Sequence, residues 1–269
     1  MLRRKYLPLL LALILGWCGT TWAKTTFTSL ANPNVYPIFI ILDQHYLDGD
    51  FIPARGGVAS LMALLKSGDA DVTVLNHEPA VNMAQQQGWQ LLEPTIVRAV
   101  HLLSYPPVSS KADIEKLKIV SAFPGGTPDK LFRAGHFANE PKFTDLFLAI
   151  QLFLNREFDA LLLPEPHISK VADLLQARGD NFHISDIQLL TLSSEATPLN
   201  AGVARPDVDR ATVEQAFAAA CTFIKRNPEQ AAAIIAKGYD SYFRMPLPEA
   251  AVLEALQSGR LMFATEVGH

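Results

Sequence analysis

The chain has few cysteines and no excess of positive charge. Of its 269 residues only Cys18 and Cys221 are cysteines. Cys18 falls in the N-terminal leader described below, so Cys221 is left alone, cannot form an internal disulfide and is expected to be a small core residue. Lysine and arginine number 23 against 27 acidic residues, giving a net charge of −4 that argues against a nucleic-acid partner.

Beyond the N-terminus the chain also lacks any apolar run long enough to span a membrane. The N-terminus itself contains one short apolar run. A basic start at 3–5 precedes an apolar run at 7–15, and small residues lie before a cut after Ala23. This order predicts that the first 23 residues are a cleaved export signal, leading to the periplasm. The run is shorter than the ~20 residues that span a bilayer. A lipid anchor at Cys18 is not expected, because the bulky Trp17 precedes it.

Apolar runs and helical patterns alternate along the rest of the chain. The runs predict strands or extended segments at Val35–Leu42, Phe51–Pro53, Asp71–Leu75, Leu91–Tyr105, Lys118–Ala122, Asp159–Leu163 and Ile187–Leu192. Periodic apolar residues predict helices at Val58–Lys66, Glu78–Gln87, Lys111–Leu117, Asp129–Gly135, Phe143–Leu154, Ile168–Ala177, Val208–Lys225, Pro228–Lys237 and Pro248–Gln257. The alternation predicts an α/β protein with two lobes. Ligands in such folds bind beyond the carboxyl ends of the strands.

Glycines stand before two of the predicted helices. Gly57 and Val58 begin one helix, and Gly125, Gly126 and Thr127 lead into another. Free N–H groups at a helix start, together with the positive end of its dipole, can hold an anion or a ligand carbonyl. A tight turn with a threonine cap explains the same residues without a ligand. Both interpretations stay open at this stage.

Polar residues follow two of the predicted strands. Asn76 and His77 come directly after one strand, and Glu165 follows another. These three, together with His101 on a predicted crossing strand, are the remaining candidate ligand contacts. Glu165 is equally consistent with a charge at a helix start, and His101 with a hydrogen-bonded core histidine.

The chemical nature of the ligand is left open by these loops. A metal or metal chelate is one alternative, if the side chains of His77, Glu78, His101, Glu165 and His167 converge. The loops carry no obvious arginine, so an anion would depend on helix ends and hydroxyl groups. A neutral heterocycle suits the Asn, His and Glu side chains, with Tyr36 or Tyr105, equally well.

Four stretches along the chain resemble one known family. They are Gly56-Gly57-Val58 with the run Leu65 to Val72, the segment Lys111 to Val120, Phe158-Asp159-Ala160-Leu161 with Pro164-Glu165-Pro166, and Phe223 to Glu229. In this order they resemble the type II periplasmic solute-binding proteins, in the group serving nitrate, sulfonate, taurine and thiamine-precursor importers. The segment Gln44 to Asp50 departs from the family pattern where it often shapes the ligand pocket, so the ligand stays open.

The resemblance implies a fold and a function. It implies two lobes, each a mixed sheet flanked by helices, with two crossing segments near Val100–Ser104 and Pro198–Val203 as a hinge. The implied limits are 24–102 with 201–269 for lobe 1, and 103–200 for lobe 2. The function would be that of a monomer that captures a small solute and delivers it to the membrane permease of an ABC importer.

The binding hypothesis involves no catalysis, no cofactor and no resident metal. An enzyme on the same fold, of the pyrimidine- or menaquinone-precursor type, is the first alternative. Its known members are cytoplasmic, and no nucleophile–base constellation is evident here. A ligand-sensing module is the second alternative, because sensing and transport both depend on closure of the lobes.

Overall fold

The structure is a computed structural model that describes residues 24–191 and 198–264, so the predicted export signal lies outside the described residues. The strands are β1 (Thr25–Ser29), β2 (Gly49–Pro53), β3 (Val72–Asn76), β4 (Gln90–Leu91), β5 (Ile96–Arg98), β6 (Val100–Ser104), β7 (Ile119–Ser121), β8 (Lys142–Phe143), β9 (Ala160–Pro164), β10 (His183–Asp186), β11 (Asn200–Ala204) and β12 (Met262–Phe263). The α-helices are α1 (Tyr36–Asp43), α2 (Gly57–Ser67), α3 (His77–Gln87), α4 (Lys111–Ile114), α5 (Thr127–Ala134), α6 (Leu146–Leu154), α7 (His167–Arg178), α8 (Ile187–Thr191), α9 (Arg210–Arg226), α10 (Pro228–Gly238) and α11 (Glu249–Gln257).

The first sheet has five strands in the order β2-β1-β3-β11-β4. β1 runs parallel to β2 and β3, whereas β11 runs antiparallel to β3, with Asn200 opposite Asn76. The carboxyl ends of β1 and β3 therefore lie at the same edge as the amino end of β11. Ligands in parallel α/β sheets bind at this edge.

The second sheet repeats this arrangement. It has five strands in the order β10-β6-β9-β7-β8, in which β7 is parallel to β9 and β6 is antiparallel to β9. Val100 at the start of β6 lies opposite Pro164 at the end of β9. The carboxyl ends of β7 and β9 thus share an edge with the amino end of a crossing strand. The expected architecture of two mixed sheets flanked by helices is confirmed.

The run predicted as a strand at Val35–Leu42 is instead helix α1, which follows a 3₁₀ turn at Pro33–Val35. Residues 36–41 are all buried, and α9 and α10 pack against the helix. A helix buried on every side is apolar on every side, so its pattern matches that of a buried strand. Asn32 caps the turn by accepting from the N–H of Asn34 at 3.0 Å, and Asn-Pro at a helix start is a signal that the sequence prediction missed.

The stretch predicted as extended at Ile187–Leu192 is also wrong as far as it is described, because Ile187–Thr191 forms helix α8. The preceding residues His183–Asp186 form the strand β10. The carboxylate of Asp186 accepts from the N–H of Gln188 at 2.8 Å, so an N-cap interaction starts the helix there. Most other predicted elements agree to within a few residues.

The C-terminal helices cover the first sheet and close the core. Phe39 on α1 packs edge-on against Phe51 and Tyr239 and stacks on Tyr242 at 5.5 Å between ring centroids. Gly238 at the end of α10 lies directly against Phe39, because a Cβ there would be 2.4 Å from its ring. Cys221 on α9 is a buried free thiol. None of the helices within the described residues is long and apolar enough to cross a bilayer.

The two segments that cross between the sheets are tied together by one buried side chain. The Asn200 carboxamide oxygen accepts from the N–H groups of Thr95 and Ile96 at 3.0 and 2.8 Å. Its NH₂ group donates to the Thr95 hydroxyl at 2.8 Å and to the Asn34 carboxamide oxygen at 2.9 Å. Four hydrogen bonds satisfy this amide completely. The crossings are thereby held in register with the segment that follows β1.

Candidate functional site

A cavity of about 330 Å³ lies between the two sheets, where the carboxyl ends of their strands face each other. This volume is at the small end of the range of about 300–1,000 Å³ that ligand pockets show. From the first sheet come residues 30–34 after β1 and Asn76 after β3. From the second come Phe123 and residues 126–128 after β7, with Pro164, Glu165 and His167 after β9. The crossing segments add Ile96, Ala99, Val100 and Leu199.

The structure brings four of the nine predicted contacts together. Asn76, Gly126, Thr127 and Glu165 line the cavity. The other five, which are Gly57, Val58, His77, Gly125 and His101, are not among its lining residues. Gly126 is needed for the close turn, because a Cβ there would lie 2.9 Å from the carbonyl oxygen of Phe123.

Helix α2 begins with its predicted residues exposed. The Val58 side chain is 62% exposed, and nothing lies within 4 Å of the position of a Cβ on Gly57. The backbone of Gly57 has φ +73°, which glycine adopts without strain. This helix start therefore lies away from the cavity in the structure, and a ligand role for its two residues stays a prediction.

His101 is a buried histidine that bonds within the protein. Its Nε2 lies 2.7 Å from the carbonyl oxygen of Arg260, and the side chain is 2% exposed. Burial lowers the pKa of His101 below its usual value, although the Arg260 carbonyl, Glu165 and Asp186 oppose the shift. The neutral ring therefore donates Nε2–H to that carbonyl. His101 holds the C-terminal segment rather than facing the cavity.

Glu165 lines the cavity, but its carboxylate is fully engaged. Oε1 accepts from Nε of Arg260 at 2.7 Å, and Oε2 accepts from the backbone N–H and hydroxyl of Ser169 at 3.2 and 2.8 Å. Arg260 also donates to the Ser169 hydroxyl at 3.0 Å and to Glu254 at 2.9 Å. The glutamate is completely buried, so this ion pair compensates its charge.

Phe123 and His167 form a flat face on the second-sheet side of the cavity. Their rings are 6.2 Å apart at an interplanar angle of 29°, and the Phe123 side chain is 43% exposed. Phe123 has φ +62°, in the left-handed region that costs a residue with a Cβ about 1–2 kcal/mol. Burial, assisted by the charge of Lys170, lowers the pKa of His167 to about 4. His167 is therefore a neutral imidazole near pH 7.

Carboxamides from the first sheet supply the polar side of the cavity. Asn76 makes no side-chain hydrogen bond with any part of 24–191 or 198–264. Asn32 and Asn34 use their carboxamide oxygens within the protein, so their NH₂ groups are the ones left for a ligand. Asn32, Asn34 and Phe123 were missed by the sequence analysis. The Asn-Pro-Asn run and the residue before the Pro124 turn were the available signals.

Three α-helices that start beside the cavity already have a carboxylate at their N-terminus, whereas the 3₁₀ turn before α1 is capped by the Asn32 carboxamide and has none. Glu78 lies in the first turn of α3 and pairs with Lys130 of α5 at 2.5 Å, which links the two sides of the cavity. Asp129 in α5 accepts from the N–H of Gly125 at 2.8 Å and pairs with Arg133. Glu165 serves the same purpose for α7. Negative charge at a helix N-terminus is stabilising, so at these three helix starts the position that could attract an anion is occupied.

The metal alternative is not supported by the geometry. The described residues contain no group of three or more His, Cys, Asp or Glu side chains placed to hold a metal ion. Glu78 is paired with Lys130 on the surface, Glu165 with Arg260, and His101 with a carbonyl. The five residues named as metal ligands therefore do not assemble into one site.

Solved structures share this fold. An ABC transporter protein from Parabacteroides distasonis is 18% identical, with a TM-score of 0.67 over 89% of this chain and 85% of that one. The periplasmic aliphatic sulphonate binding protein SsuA from Escherichia coli is 16% identical, with a TM-score of 0.61 over 89% and 80%. The ligand binding component of an ABC-type import system from Staphylococcus aureus, with zinc bound, is 11% identical, with a TM-score of 0.59 over 89% and 84%.

These likenesses define the fold as the two-lobed type II periplasmic-binding-protein fold, as the resemblance of the four sequence stretches implied. At identities of 11–18% they define the fold alone. No protein-family model matches the chain, and no curated protein matches it at a significant level.

Proposed function

We propose that this protein is an exported solute-binding protein that captures a small molecule in the cavity between its sheets and delivers it to the membrane permease of an ABC importer. The observation that carries the proposal is the position of the cavity. The carboxyl ends of four strands, two from each sheet, open onto one hollow with uncommitted polar groups. A neighbour in fold that is the ligand binding component of an ABC-type import system supports the same function.

Closure of two lobes is the proposed mechanism. Lobe 1 is proposed to comprise 24–102 and 201–269, and lobe 2 to comprise 103–200. Asn200 joins the crossing segments, so changes in φ and ψ near it rotate one lobe against the other. The Glu78–Lys130 ion pair joins α3 to α5 across the opening and supports the closed arrangement.

The cavity lacks the usual arrangement of a catalyst, which favours binding over reaction. Among the described residues that line it, Glu165 is the carboxylate, and three hydrogen bonds engage it, one of which is its ion pair with Arg260. His167 contacts the ring of Phe123 and has no carboxylate partner among the described residues to orient it as a base. The protein is accordingly proposed to work as a monomer without a cofactor.

The first experiment asks whether a solute is held, and where. Protein recovered by osmotic shock from its own host should have the mass of residues 24–269, and its native mass spectrum should show a bound small molecule. Asn76→Ala should release that molecule, because it removes an amide that faces the cavity. Asn82→Ala is the matched control, since Asn82 is exposed on helix α3, which follows Asn76 directly.

The result against the proposal is equally clear. If no solute co-purifies, and no member of a broad panel of sulfonates, nitrate, heterocycles and divalent metals raises the unfolding temperature, the protein does not bind solutes. Equal loss of the ligand in both asparagine variants would place the binding site elsewhere.

A further inference from the structure

The cavity wall carries no free positive charge. None of its lining residues is a lysine or an arginine within the described part of the chain, and its histidine, His167, is neutral near pH 7 because burial lowers its pKa to about 4. The one lining carboxylate, Glu165, is neutralised by Arg260. An anion entering this cavity would lose its hydration without gaining a counter-ion.

The helix ends around the cavity strengthen this conclusion. A helix start usually favours an anion through its free N–H groups and positive dipole end. Here Asp129 accepts from the turn that begins α5, Glu165 from the first turn of α7, and Glu78 lies in the first turn of α3. An incoming anion would therefore approach three helix starts whose positive potential is already offset by negative side chains. At a fourth start, the 3₁₀ turn before α1, no acidic residue is present, but the Asn32 carboxamide oxygen already accepts from the N–H of Asn34.

The groups that remain suit a neutral molecule with a flat face. The Phe123 and His167 rings offer a surface for stacking, and Ala99, Val100 and Leu199 line the hollow with apolar side chains. Aromatic stacking contributes about 0.5–1.5 kcal/mol beyond the burial of area. The Asn76 carboxamide can both donate and accept, as can a neutral imidazole and a hydroxyl. Uncharged carbonyl and amine groups on a ring edge match these partners.

We propose that the cavity selects an uncharged, ring-containing solute with hydrogen-bonding groups at its edge, and discriminates against anions such as sulfonates and nitrate. The inference rests on the proposed solute-binding function and narrows it. Selection by charge follows because an anionic analogue would meet no unpaired cation among the described lining residues and would lie beside Glu165, whose charge Arg260 already balances.

Matched pairs of probes test the selection by charge. Nicotinamide is compared with nicotinate, and benzenesulfonamide with benzenesulfonate, by isothermal titration calorimetry on the wild-type protein, with nitrate and ethanesulfonate included. The members of each pair have nearly the same shape and differ in charge. We expect the neutral member to bind at least tenfold more tightly in each pair that binds. An anionic member that binds as tightly as its neutral partner overturns the inference.

A single substitution in the cavity wall should reverse the charge preference. Asn76→Lys places a cation at the wall and should shift the preference of each pair toward the anion by at least tenfold, whereas Asn76→Gln should leave the preference for the neutral member. Circular dichroism and the unfolding temperature establish that both variants are folded. If the folded Asn76→Lys variant keeps the wild-type preference for the neutral member of each pair, the electrostatic explanation of that preference is wrong.

The outcomes separate this inference from the proposed function. Tight binding of nitrate or of a sulfonate would keep the solute-binding function and overturn the neutral selection. A co-purified solute that is a neutral ring compound supports both, and one with a net negative charge overturns the selection alone. If neither the neutral ring compounds nor the anions bind, and no solute co-purifies, both the solute-binding function and the neutral selection are overturned.

Discussion

Phe123 offers a direct test of whether the structure stores strain at the cavity. Its backbone has φ +62°, and its exposed ring stacks on His167. The left-handed conformation costs a residue with a Cβ about 1–2 kcal/mol. Phe123→Ala keeps this cost and loses the ring, whereas Phe123→Gly loses both. The difference between the two variants therefore isolates the backbone strain from the contact made by the ring.

The difference in the free energy of unfolding between the two variants has two opposing contributions. Glycine gains about 1–2 kcal/mol from the released strain and loses roughly 0.5–1 kcal/mol through its larger unfolded-state entropy. The Gly variant should therefore be up to about 1.5 kcal/mol more stable than the Ala variant. At ~2–4 °C per kcal/mol for a chain of this size, its unfolding temperature should be up to about 6 °C higher.

Ligand affinity should behave differently from stability. Both variants lose the aromatic face, so both should bind the neutral ring solute at least about tenfold more weakly than wild type, by about 1.4 kcal/mol. Scanning calorimetry gives the unfolding temperatures and titration calorimetry the affinities. An Ala variant more stable than the Gly variant would refute the strain at residue 123. Wild-type affinity in both variants would refute the placement of the ring at the ligand.

Two substitutions and one pH titration probe the fold around the site. Arg260→Met leaves the buried Glu165 carboxylate without its partner and should lower the free energy of unfolding by about 3–5 kcal/mol in urea titrations. Burial lowers the pKa of His167 to about 4 from 6.5, so as the pH falls the unfolded chain takes up this proton before the folded protein does. The free energy of unfolding from urea titrations should therefore decrease between pH 6.5 and pH 4, by up to about 1.4 kcal/mol per pH unit. Gly238→Ala should cost about 1–3 kcal/mol in thermal unfolding, because its Cβ would lie 2.4 Å from the confined Phe39 ring.

Each of these has a control that a wrong explanation would not satisfy. The double variant Arg260→Met with Glu165→Gln should recover most of the stability, since no buried charge is left unpaired. His167→Phe should show a shallower pH dependence between pH 6.5 and 4, although His101, also shifted downward by burial, still contributes. Ala233→Gly on the exposed side of α10 measures helix propensity alone; if Gly238→Ala proves stabilising, the close contact with Phe39 is not rigid.

The order of strands and helices was predictable because most elements carry their own start and stop signals. Gly68, Gly88 and Gly179 end three helices in the left-handed conformation, and the predicted helices stop at those residues. The segment 36–43 was not predictable from periodicity, because burial on all sides removes the polar face that distinguishes a helix from a strand. Its tertiary partners, α9 and α10, decide its structure.

The site was predictable in position but not in composition. The rule that ligands lie beyond the carboxyl ends of strands led to Asn76, Gly126 and Thr127, which line the cavity. The same rule does not reveal which residues next to these have side chains that face the cavity. Phe123 faces the hollow because its backbone adopts a left-handed conformation, and Asn34 does so because Asn200 holds it from across the crossing segments. Both depend on contacts distant in sequence.

The charges around the cavity show why a helix start alone says little about a ligand. Read from the sequence, glycines before a helix favour an anion site, and an acidic residue in a first turn is a routine stabilising feature. In the structure the acidic residues in the first turns decide the charge around the cavity. Glu78 and Asp129 are both paired with cations on helix α5, namely Lys130 and Arg133. Glu165, the charged residue among the described lining residues, is paired as well. A solute that brings its own charge would disturb that balance, and a neutral one would not.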